Sequence, residues 1–73
     1  MNMKEIAAYC AANIEDWEPR VQIALGIIDH DRCPLSMADP GLYGQIQDCL
    51  DDLGIEDTDI DIEDIIFTDY ESE

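Results

Sequence analysis

Basic residues are what this sequence most lacks. Lys4, Arg20 and Arg32 are the only three, set against nineteen aspartates and glutamates, which leaves a formal net charge of −16. Charge of that sign excludes nucleic acid and anionic membrane as direct ligands, because both carry the same sign. No apolar run approaches the roughly 20 residues that cross a bilayer. The opening MNMKEIAAYC has one lysine followed at once by Glu5 and no apolar core, so it is not expected to act as a signal peptide. The three cysteines, Cys10, Cys33 and Cys49, are an odd number without framework spacing. They read as reduced thiols of a cytoplasmic protein rather than as a secreted disulfide scaffold.

Signatures of catalysis are also missing. There is no glycine-rich phosphate loop, and no serine or cysteine lies in a nucleophile motif. The single histidine, His30, stands between Asp29 and Asp31 at the expected end of a helix, where a cation is favoured by the helix dipole. Cys10, His30, Cys33 and Cys49 include no Cys-x-x-Cys pair, and Cys10 and Cys49 fall on apolar stripes. A calcium loop beginning at Asp57 would need glycine and glutamate where Ile62 and Thr68 stand; one beginning at Asp59 meets Asp64 and Tyr70 instead. The expectation is a protein that is not an enzyme and takes neither metal nor cofactor.

What is present is enough apolar sequence to fold: 47% of the 73 residues are hydrophobic, too many for a disordered acidic tail. One domain over residues 1–73 is expected, all-α, with three helices and a short acidic fourth. Met3, Ile6, Ala7, Cys10, Ala11, Ile14 and Trp17 recur at spacings of three and four, predicting a helix over 3–16 capped by Asn2. Trp17 is expected to anchor the corner after it. A second helix over 19–30 opens on Pro19. Its Val21, Ala24, Leu25 and Ile28 form one face and Ile23 and Ile27 another, so it is expected at the centre of the bundle, with Gly26 admitting a close neighbour. HDRCPLSMADP reads as loop. A third helix over 40–53 has well-marked ends in the Asp39 cap, Pro40 in the first turn and Gly54 beyond the last. Its inner stripe is Leu42, Ile46, Cys49, Leu50 and Leu53. Asp59 or Asp61 is placed to cap the fourth helix, over 61–67, in preference to a strand, and a frayed tail is expected over 69–73.

The charge is unevenly placed. Residues 48–73 hold twelve acidic side chains and no basic one, a net of −12. Within them Asp48, Asp51, Asp52, Glu56, Asp57, Asp59, Asp61, Glu63 and Asp64 put nine carboxylates into seventeen residues. Laid out at helical rise, that is one charge per roughly 3 Å. Duplex DNA carries one per about 1.7 Å of axis and a single strand one per about 3.4 Å. Ile55, Ile60, Ile62, Ile65 and Ile66 are interleaved with these carboxylates and would hold them against a core.

In size, acidity and charge pattern over the whole chain, the sequence resembles the DNA-mimic inhibitors carried by phages and other mobile elements, among them many anti-CRISPR proteins. The resemblance implies a binding protein that evades host defence. It would occupy the Lys/Arg-lined channel of a nucleic-acid-binding complex in the cytoplasm of a bacterial host, with the nine carboxylates as its contact set. The alternative is an acidic protein-interaction or regulatory module without mimicry. A homodimer is left open by the sequence.

Overall fold

The computed structural model describes residues 2–28 and 33–70, and every regular element among them is a helix: α1 (Met3–Asn13), α2 (Trp17–Ile28), α3 (Leu35–Ala38), α4 (Pro40–Asp52) and α5 (Ile62–Phe67). The all-α architecture expected from the sequence is what the chain adopts, with one short helix more than expected.

Helix α1 begins where Asn2 accepts a hydrogen bond from the Glu5 backbone N–H at 2.9 Å. It ends three residues earlier than its apolar spacing predicts. Ile14 is extended, and Asp16 takes the left-handed conformation at φ 57°, which aspartate tolerates better than most residues. The Asp16 carbonyl then accepts from the Arg20 N–H at 3.1 Å, the first turn of α2. Pro19 therefore lies third in α2 rather than first, still within the turn where a missing N–H costs nothing. Trp17 is buried at the corner, as expected.

The core takes Trp17, Val21, Ala24 and Ile28 from α2, a single stripe. The expectation that α2 is buried on a second face is wrong: Ile23 is 67% exposed and Ile27 39%. Helix α2 packs mainly against α1, α3 and α5, and no described element covers the side that carries Ile23 and Ile27. Gly26 lies on that open side too. A Cβ there would meet nothing within 4 Å, so no close helix approach explains it. Asp29, His30, Asp31 and Arg32 lie outside the described residues, and with them the expected end of the helix and the place of His30.

The stretch read as loop contains α3, one turn that seats Leu35 fully in the core. Four residues are too few to show a periodicity. Helix α4 buries Leu42, Ile46, Cys49 and Leu50 and packs against α1, α3 and α5, so the core is shared among the helices rather than centred on α2. Asp39 caps it, accepting from the Leu42 N–H at 3.0 Å. At the other end Gly54, at φ 73°, lets the Ile55 N–H reach the Leu50 carbonyl at 2.9 Å and the Gly54 N–H reach the Asp51 carbonyl at 3.0 Å. This pair of bonds closes the helix and folds Ile55 back onto the core. Of the two candidate caps for α5 it is Asp61 that serves, accepting from Glu63 N–H at 3.0 Å. Ile62, Ile65 and Ile66 are buried beneath it. Of the tail expected to fray, Asp69 and Tyr70 are described and Tyr70 packs half-buried on the core.

The radius of gyration, 11.3 Å, compares with about 11.2 Å for a compact chain of this length, so the charge does not expand the fold.

Candidate acidic interaction surface

The nine carboxylates divide among three elements. Asp48, Asp51 and Asp52 stand on α4, Glu56, Asp57, Asp59 and Asp61 on the connection to α5, and Glu63 and Asp64 on the first turn of α5. Eight are exposed and Glu63 is half-buried. The pattern arises locally. The stripe Leu42, Ile46, Cys49 and Leu50 turns inward and leaves positions 48, 51 and 52 to solvent. In the connection, Ile55 and Ile60 pack inward while the acids between them project outward.

The array is not the straight ladder that helical rise implies. The turn at Gly54 and the cap at Asp61 break the path twice, so the charges wrap around a corner of the molecule. They gather instead into three adjoining hollows. The largest, about 510 Å³, is lined by Asp48, Asp51, Glu56 and Asp57 together with Gln47. A second, of about 260 Å³, shares Asp48 and adds Asp52. A third, of about 230 Å³, shares Asp57 and adds Asp61, Glu63 and Tyr43. Asp59 and Asp64 line none of the three.

Several supporting contacts lie beyond the reach of sequence reasoning. Gln47 Nε2 donates to Asp57 Oδ2 at 2.8 Å, tying the connection back to α4. Tyr9 of α1 lies close to Asp52, and its phenol is raised above its ordinary range first by burial and then by that carboxylate. Most important is Arg20. Its Nη2 and Nε donate to Asp39 Oδ1 and Oδ2 at 3.0 and 3.2 Å, and its Nη1 donates to Gln45 Oε1. The Arg20 hydrogen bonds, with the Leu42 N–H second, hold the Asp39 carboxyl below its usual range. A Cβ on Gly41 would come within 3.2 Å of Arg20 Nη2, so the glycine leaves room for the guanidinium over the first turn of α4. The cap at Asp39 is legible in the sequence; its partner 19 residues away is not.

The thiols of Cys10 and Cys49 are buried neighbours on α1 and α4, and Cys33 is half-buried and free. Burial, with Cys49 adding, pushes the Cys10 thiol up to about 12. Burial likewise raises Cys49, with the Asp52 and Asp48 charges adding to it. Both therefore stay protonated near neutral pH and behave as small apolar groups. Among the described residues no group of three or more His, Cys, Asp or Glu side chains is placed to hold a metal ion, and no helix is long and apolar enough to cross a membrane.

Comparison with protein-family models, with curated proteins and with solved structures finds no match. The class that fold and surface define is thus a small all-α domain with one strongly acidic face.

Proposed function

We propose that the protein inhibits a nucleic-acid-binding complex by setting its acidic face into the basic channel that would otherwise hold DNA. The observation that carries this reading is the clustering of charge: seven of the nine carboxylates line three hollows that share walls at Asp48 and Asp57. No catalysis is involved. The carboxylates compete for lysines and arginines that would neutralise phosphates, so association is fast at low salt and weakens steeply as salt rises. A CRISPR effector or another host-defence nuclease in the bacterial cytoplasm is the kind of partner this chemistry fits.

The concavity of the surface favours a second reading, an acidic module that grips protruding basic side chains of a protein with no nucleic-acid function. Affinity capture from host lysate separates the two, with partners ranked by their loss at higher salt. Asp48, Asp51 and Glu56 are the positions to reverse, because all three are exposed in the largest hollow. Asp57 and Asp61 are less suitable, since each also holds the fold together through Gln47 or the α5 cap. Recovery of a DNA-binding complex that D48K/D51K/E56K fails to capture supports mimicry. Recovery of the same partner by that variant, with its fold intact by circular dichroism, contradicts it.

A further inference from the structure

A fourth concavity lies between α2 and the end of α5, and its walls are different. Trp17, Val21 and Leu25 form one wall, Ile66 and Tyr70 the other, and the space between them is about 240 Å³. That is below the roughly 300–1,000 Å³ of small-molecule sites, and is suited to one large side chain. Phe67 stands at its edge, 54% exposed. Ile23 and Ile27 are not part of this groove; helical geometry puts them on the opposite flank of α2.

Two observations identify what the groove would take. Phe67 lies four residues after Glu63 and three after Asp64, so on α5 it shares a face with both, although neither lines the groove itself. Glu18 lines the groove on the α2 side. A hollow walled by Trp17, Val21, Leu25, Ile66 and Tyr70, with Glu18 and Asp69 also lining it, is complementary to an apolar side chain flanked by cations. A second copy of this chain, itself at −16, carries the wrong charge.

We propose that this groove is the anchoring site for a lysine- or arginine-rich segment of the partner protein, which inserts one large apolar side chain between α2 and α5 while its cations meet Glu18 and Asp69. The proposal rests on the reading that the partner is basic, and it adds a point of specificity. Carboxylates alone would bind any cationic surface, whereas a buried apolar anchor at the border of a charged interface selects one.

The test uses two synthetic Lys/Arg-rich peptides that differ only in a central leucine or serine. Binding is followed by the emission of Trp17, the chain's only tryptophan, and by amide shifts. The leucine peptide is expected to bind about ten-fold or more tightly and to shift Trp17, Leu25, Ile66 and Tyr70. F67S, which alters an exposed side chain, is expected to remove most of that advantage. D48K/D51K/E56K is expected to weaken both peptides alike and leave their ratio unchanged. Equal binding of the two peptides, or a Trp17 signal indifferent to the anchor, overturns the groove while leaving the acidic-face reading intact. A retained leucine preference, with partner capture insensitive to D48K/D51K/E56K, upholds the groove and removes the mimicry. A concentration-dependent dimer abolished by F67S would show that a second copy is the occupant, and would also overturn the proposal.

Discussion

Replacing Arg20 with methionine should destabilise this protein more than loss of an ordinary surface ion pair. The guanidinium binds both oxygens of Asp39 and also Gln45, and the two side chains of the ion pair are 25% and 31% exposed. Exposed pairs contribute about 0.2–1 kcal/mol, and hydrogen bonds to charged groups about 1.5–3 kcal/mol. A partly exposed bidentate pair should fall between them, at about 1–2 kcal/mol. A chain of 73 residues has an unfolding entropy near 0.15 kcal/mol/K, so R20M should melt ~7–13 °C lower at pH 7. D39N keeps a side-chain oxygen to cap α4 and removes only the charge. A double-mutant cycle on thermal melts followed by circular dichroism therefore isolates the pair. The pH dependence adds a second constraint. Asp39 in the folded protein titrates below its ordinary value of 3.8, so its contribution is fully present above that value and is lost as the pH falls through the depressed one. The R20M deficit should be constant from pH 7 to 5 and shrink below pH 3.8. An R20M melting temperature within about 2 °C of the parent, or a deficit unchanged in strong acid, would refute the argument.

G26A should stabilise by about 0.5–1 kcal/mol, read as a higher midpoint in urea, because alanine is the better helix former and the added methyl meets nothing. Cys49→Ser should lower the melting temperature, since it buries a hydroxyl beside Cys10 where a thiol now sits among apolar groups. Salt should raise the melting temperature. The molecule measures 29 × 27 × 20 Å, so at 0.01 M, with a Debye length of about 30 Å, its carboxylates repel one another across the whole body. At 0.15 M that length falls to about 8 Å. A melting temperature that drops over that range would contradict strong self-repulsion.

The parts of the fold legible in the sequence are those marked by local chemistry. Asp39-Pro40 and Gly54 delimit α4 because a cap, a first-turn proline and a left-handed glycine each act within a turn of themselves. Asn2 and Asp61 are read for the same reason. What stays hidden depends on neighbours distant in sequence. Nothing near Ile23 and Ile27 says that no helix will cover them, and nothing near Arg20 says that Asp39 will. Leu35 is buried by its place in the bundle rather than by any periodicity of α3. For the surface, the identity and exposure of the carboxylates were readable from their spacing against the isoleucines. Their grouping into hollows was not, because it follows from the turn at Gly54 and the new helix that starts at the Asp61 cap.

Competition at equilibrium tests the central claim most directly. A labelled DNA duplex bound to the captured partner would be titrated with the parent protein and with D48K/D51K/E56K, at low and at physiological salt. Mimicry predicts that the parent displaces the duplex, less effectively as salt rises, and that the variant does so at least about ten-fold more weakly. A ternary complex in which the partner holds DNA and this protein together at full affinity would contradict it, as would equal displacement by the variant.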